Sequence, residues 1–165
     1  MDKIKVYLDT NQIQDLFVNQ ALALKRREEA ETPEKLKFFL ENRERIEFIT
    51  SVATEAEIAR ELIAGYGLTD DQFETLWSGF MEKLKCRYIE EFNVDKRFSQ
   101  LPKRIRIKLR TLVNFIHVFI AMKEDAYLVT GDKDLIRICS DHKIYDKVIS
   151  YIELRKLIAS LYEHS

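Results

Sequence analysis

The stretch Ile4-Lys-Val-Tyr-Leu-Asp9-Thr-Asn11 decides the fold. Ile4 to Leu8 has the β-branched and aromatic content of a short buried strand, and Gln12-Ile-Gln-Asp-Leu-Phe17 behind it changes to helical spacing. A buried strand that ends in Asp and Asn puts a carboxylate where an open parallel sheet exposes its ligands, in the crevice beyond the carboxyl ends of the strands. The ordinary alternative is that Asp9 or Thr10 caps the helix that follows, since Asp, Thr and Asn are all good N-caps.

The rest of the chain bounds what Asp9 can partner. Its 165 residues fall within the usual size of one domain, so a single domain is expected over residues 1–165. A hydrophobic content of 46% with only four Gly and two Pro excludes disorder, collagen-like repeats and a flexible linker. Lys plus Arg number 27 against 28 Asp plus Glu, so a nucleic-acid partner must be met by a local basic patch or through metal ions rather than by the global field. Cys86 and Cys139 are far apart and show no CxxC spacing, which argues against a structural disulfide or zinc site and fits a reducing compartment. No stretch reaches the roughly 18 to 20 apolar residues of a membrane span, and no signal core precedes the first strand. A cytoplasmic protein is the expectation.

Along the chain, the spacing predicts a helix from Gln12 to Glu29, with Ile13, Leu16, Phe17, Ala21 and Leu24 on one face. Thr32-Pro33 predicts the cap and first residue of a short helix through Leu36, Phe39 and Leu40, then a second strand at Ile46–Thr50. Thr54 and Glu57 have the spacing of a capping box in the next helix, which Gly65 and Gly67 end. Phe73, Leu76, Trp77, Phe80, Met81 and Leu84 form an aromatic-rich helical stripe that reads as core. A third strand is expected at Cys86–Phe92, one long helix over about 103–123, a strand at Ala126–Thr130, a last strand at Lys147–Ser150 and a helix from Glu153 to Tyr162. The start of the long helix, Lys103-Arg-Ile-Arg-Ile-Lys-Leu-Arg110, holds five cations in eight residues. It reads either as a solvated helix start or as a phosphate-contacting patch led by Lys103, Arg104 and Arg106.

Strand ends therefore carry acids in three places: Asp9 after the first, Glu57 in the helix after the second, and Asp132 with Asp134 after the strand at Tyr127. Carboxylates gathered within several ångströms repel and raise one another's pKa unless a cation neutralises them. Hard oxygen donors suit Mg²⁺ or Mn²⁺, which also bind phosphate oxygens, and the chemistry this favours is phosphodiester hydrolysis. His117 on the long helix is either a packed core histidine or a contact to phosphate or metal.

Asp9-Thr-Asn11, Ser51-Val-Ala-Thr-Glu-Ala-Glu57-Ile-Ala and Leu128-Val-Thr130-Gly-Asp132-Lys-Asp134 resemble, in order and spacing, the motifs of the PIN-domain nucleases. The resemblance runs from about Lys3 to Leu157 and implies a three-layer α/β/α fold with a central, mostly parallel sheet. It implies Asp9, Glu57 and Asp132 as metal-site acids, Asp134 as an auxiliary ligand, and Asn11 and Thr130 as residues that orient the acids or substrate. The family usually places a further aspartate about eighteen residues before the third motif; that position here is Asn114. An amide oxygen can still reach Mg²⁺, but the site loses a charge and should hold metal less tightly. The implied function is a Mg²⁺- or Mn²⁺-dependent endoribonuclease acting on single-stranded or looped RNA. The resemblance also implies, as a possible role, the toxin of a toxin–antitoxin pair with an antitoxin protein partner and a homodimeric state. The alternative is a catalytically weakened PIN-like module that binds RNA or protein. A phosphatase of the haloacid-dehalogenase type also has Asp after its first strand but needs a second Asp where this chain has Asn11.

Overall fold

The computed structural model describes residues 2–163. Five strands, β1 (Ile4–Leu8), β2 (Ile46–Ser51), β3 (Arg87–Ile89), β4 (Tyr127–Val129) and β5 (Val148–Ile149), form one sheet in the order β3-β2-β1-β4-β5. Every pairing in it is parallel, so the expected mostly parallel sheet is wholly parallel. Parallel neighbours need long crossovers, and helices supply them. These are α1 (Thr10–Arg26), α2 (Glu34–Glu41), α3 (Val52–Ala59), α4 (Asp70–Leu84), α5 (Lys96–Gln100), α6 (Lys103–Arg106), α7 (Leu109–Lys123) and α8 (Lys133–Asp141); α9 (Tyr151–Tyr162) follows the last strand. A π-helical segment, Arg60–Gly65, continues α3.

The strand alternation sorts the core into two layers. Val6, Leu8, Ile46, Phe48 and Val129 face a cluster built with α1, α2, α4 and α9. Tyr7, Ile49 and Leu128 face the opposite cluster, with Phe115, Val118 and Phe119 of α7 and Leu135 and Cys139 of α8. A sheet buried on both faces is what parallel strands require, and the result is a three-layer α/β/α architecture. The aromatic stripe of α4 is core as its spacing predicts: Trp77 lies 5.9 Å from the Phe17 ring and 6.2 Å from Phe73, and Phe80 packs 5.1 Å from Phe17.

Several local expectations are corrected. Pro33 is the N-cap of α2 rather than its first helical residue. The Thr54–Glu57 capping box does not form, because α3 starts earlier and Ser51 caps it by accepting from the Thr54 amide; a capping box does form at Thr69 and Gln72, ahead of α4. The single long helix is two helices, α6 and α7, with an extended Lys108 between them. On a continuous helix Ile105 and Leu109, four residues apart, would share one face, with Ile107 on the opposite side. The break lets Ile105 pack on the core and leaves Ile107 and Leu109 exposed, at 77% and 76%. The third strand shrinks to Arg87–Ile89, which keeps Glu90 and Glu91 out of the sheet.

Candidate active site

The chain direction across the sheet reverses at β1: β2 and β3 are laid to one side of it, β4 and β5 to the other. Such a switch point opens a crevice at the carboxyl ends of the two central strands. Asp9 leaves β1 at this point, and its backbone amide is tied to the Val129 carbonyl of β4 at 2.9 Å. Asp132 follows β4 across the same crevice.

Asp9 is 4% exposed and held on both oxygens. Oδ1 accepts the Thr10 amide at 2.8 Å, while Oδ2 accepts the Thr130 hydroxyl at 2.7 Å and the Asn11 amide at 3.2 Å. The cap reading and the site reading of Asp9 are therefore compatible: one oxygen caps α1. Burial pushes its carboxyl above the ordinary aspartate value, and the hydrogen bonds from Thr130 and Thr10 offset only part of that. Thr130 is itself buried and also accepts the Asp132 amide at 3.1 Å, so one hydroxyl sets the spacing of both aspartates. Asn11 Oδ1 accepts from Gly131 N and Gln12 Nε2, both at 3.0 Å. A Cβ on Gly131 would come to 3.0 Å from Gln12 Nε2, so that side chain would have to shift by a few tenths of an ångström to admit one.

Glu57 reaches the cleft from the second turn of α3. Its Oε1 accepts the Thr10 hydroxyl at 2.9 Å and contacts His117 Nε2. Burial alone would raise its carboxyl, but the hydrogen bonds from His117 and Thr10 and the nearby Arg110 guanidinium outweigh burial and hold it below the ordinary value. Asp132 uses Oδ1 to cap α8 at the Leu135 amide, 3.1 Å away, and Oδ2 to accept the Asn114 side-chain amide at 3.3 Å.

Asp9, Glu57, Asn114 and Asp132 line one cleft of about 420 Å³ together with Thr10, Asn11, Gln14, Arg60, Leu109, Arg110 and Val113. The three acids and Asn114 are thus brought together as the sequence predicts. Asp134 does not line that cleft: it is exposed, pairs with Arg137 at 3.1 Å, and lines an adjoining groove over the start of α8 with Asn11, Arg110, Asp132 and Lys133. Its position two residues beyond the Asp132 cap, about half a helical turn, carries it out of the cleft that holds Asp9 and Glu57. His117 does not face the cleft; it is fully buried behind Glu57, with Nδ1 2.6 Å from the Tyr7 hydroxyl. Lys103, Arg104 and Arg106 do not line the cleft either, because the break after α6 separates them from its wall. Arg110 and Arg60 line it instead. Helical spacing carried that signal: Arg110 lies four residues before Asn114 on α7, and Arg60 three after Glu57 on the α3 side.

The cleft-wall groups that could hold a cation are oxygens, chiefly the carboxylates of Asp9, Glu57 and Asp132, while Asn114 turns its amide nitrogen toward Asp132. That set fits a hard divalent cation that keeps several waters. Among the described residues, no three His, Cys, Asp or Glu side chains are drawn tightly enough together to enclose an ion. Each acid is instead spaced by its own neighbours, Asp132 by the α8 cap and Glu57 by Thr10 and His117. No family model matches the sequence, and a search of curated proteins returned no match.

Proposed function

We propose that this chain is a metal-dependent endoribonuclease of the PIN type, with Asp9, Glu57, Asp132 and Asn114 as the residues that would hold Mg²⁺ or Mn²⁺. The observation that carries the reading is the meeting of three carboxylates, Asp9 at the end of β1, Glu57 in the second turn of α3 and Asp132 at the cap of α8, in one cleft at the switch point of the sheet, with two arginines in its wall. A divalent cation bound there would neutralise charge on a phosphate and lower the pKa of water beside it. The protein's own groups do the rest. Arg110 and Arg60 draw a phosphodiester into an otherwise acidic cleft, Thr130 and Asn11 fix Asp9, and Thr10 fixes Glu57. Hydrolysis would leave a 5′-phosphate and a 3′-hydroxyl, as the PIN resemblance implies. Exposed Leu109, beside Arg110 on the cleft wall, suits an unpaired base better than a closed duplex. A toxin role with an antitoxin partner, and a homodimer, remain part of this proposal through the resemblance alone; growth arrest on induced expression, relieved by Asp9→Asn, is the result the toxin role predicts.

One observation favours a second reading, a weakened PIN-like module that binds RNA or protein without cutting it. Asn114 stands where an acid is expected and gives its amide hydrogen to Asp132, partly satisfying that carboxylate without a cation. A labelled single-stranded RNA incubated with Mn²⁺ separates the two. Cleavage by the wild type that Asp9→Asn abolishes supports the nuclease; retention of the RNA uncut by both proteins supports the binding module.

A further inference from the structure

Behind the cleft wall lies a chain of buried polar groups that the proposed hydrolysis does not use directly. Tyr7 points from β1 away from Val6 and Leu8, and its hydroxyl sits 2.6 Å from Ser51 Oγ, 3.1 Å from Thr54 Oγ1 and 2.6 Å from His117 Nδ1. His117 Nε2 contacts Glu57 Oε1 and lies 3.9 Å from Asp9 Oδ1. Tyr7, Ser51, Thr54 and His117 are all 0% exposed, so each of their hydrogens has to find its acceptor inside the network.

Counting donors places the protons. A phenol donates one hydrogen bond and accepts two. If Tyr7 donates to Nδ1, the Ser51 and Thr54 hydroxyls both donate to the phenol oxygen, and all three hydroxyl hydrogens are used. The ring hydrogen then sits on Nε2 and points at the Glu57 carboxylate. If Nδ1 carried a hydrogen instead, the phenol would accept it and send its own hydrogen to Ser51 or Thr54. The hydroxyl that received that hydrogen would then have no acceptor for its own.

We propose that Tyr7 and His117 are positioning residues for Glu57: the Tyr7 hydroxyl fixes His117 as the neutral Nε2–H tautomer, and that N–H with the Thr10 hydroxyl clamps Glu57 Oε1, leaving Oε2 for the cleft. A tautomer fixed by a hydrogen bond on the far ring nitrogen is the usual means by which a histidine orients a neighbour. The tautomer is a property of the chain itself; its consequence for ion binding rests on the nuclease reading of the cleft.

Two measurements test this separately. Long-range ¹H–¹⁵N spectra of the histidine rings at neutral pH, assigned by comparison with His117→Gln, are expected to show a pyrrole-type Nε2 and a pyridine-type Nδ1. A hydrogen on Nδ1, alone or in a doubly protonated ring, overturns the assignment. Mn²⁺ is then titrated calorimetrically into the wild type, Tyr7→Phe, His117→Gln and His117→Leu. Loss of such orienting partners typically costs about 10-fold or more in metal affinity, so Tyr7→Phe and His117→Leu should bind at least about 10-fold more weakly, while His117→Gln, whose amide still donates, retains more affinity. Equal affinity for the Gln and Leu variants, beside a wild type that binds, refutes the positioning role. A wild type that binds no Mn²⁺ counts against the nuclease reading, and the proton assignment is then decided by the spectra.

Discussion

Asn114→Asp puts a carboxylate where the structure has an amide donating to Asp132 Oδ2 at 3.3 Å. Without metal the change costs twice. The lost hydrogen bond is worth about 1 kcal/mol. Two unit charges about 4 Å apart repel by about 1 kcal/mol in water and about 4 kcal/mol at an effective dielectric constant of about 20, and this half-exposed pair belongs toward the lower end. The sum, about 2–3 kcal/mol, corresponds for a chain of this size to a fall in Tm of roughly 4–12 °C. A divalent cation should reverse the sign, since the extra carboxylate becomes a ligand and stabilises the fold by RT ln(1 + [L]/Kd). The assay is thermal unfolding of both proteins in chelator and again with saturating Mn²⁺. The reasoning predicts a variant less stable than wild type in chelator and more strongly stabilised by Mn²⁺. A variant unchanged in chelator, or one that gains no more from Mn²⁺ than wild type does, refutes the placement of residue 114 beside the ion.

Asp9 and Glu57 should respond to pH with opposite signs in metal-free buffer. Burial raises the Asp9 carboxyl, so folding loses stability as pH climbs from the ordinary aspartate range through the raised value, and Asp9→Asn should be relatively more stable than wild type near neutrality, an advantage that disappears in acid. Glu57 is lowered, so its contribution is present above the ordinary glutamate range and is lost as pH falls through the lowered value; Glu57→Gln should lose stability at neutrality, and urea unfolding from pH 3 to 8 reads both. Arg110→Ala should weaken binding of a non-cleavable single-stranded RNA and reduce the slope of log K against log salt by about 0.7, measured by fluorescence anisotropy, with a larger loss than Lys103→Ala, which lies outside the cleft. Phe39 is fully buried and packs 5.5 Å from the Phe48 ring, so Phe39→Ala should cost about 3–5 kcal/mol in denaturant titration with the cleft chemistry unchanged in kind.

The sheet was legible because its strands are short apolar runs, each followed by a helical period, and this alternation leaves parallel pairing as the simple solution. Asp9, Glu57 and Asp132 were legible because each follows a strand. What failed was local. The Thr54–Glu57 spacing satisfies a capping box on paper, yet Ser51, at the end of β2, takes the cap first and releases Glu57 to the cleft. The cationic run reads as one helix by its later apolar spacing, but the backbone is extended at Lys108, and Lys103, Arg104 and Arg106 on the short helix before it lie off the cleft wall. Tyr7 gave no chemical signal of its own, since a tyrosine inside a strand reads as core. Only the pairing of β1 with β2 and the docking of α7 bring its hydroxyl to Ser51 and His117.

Calorimetric titration of Mn²⁺ into the wild type and into a protein carrying Asp9→Asn and Asp132→Asn tests the central claim most directly. The account predicts binding to the wild type, alone or with a non-cleavable single-stranded RNA present, that is lost in the double variant. Equal binding to both proteins, or no binding to the wild type even with RNA, would contradict it.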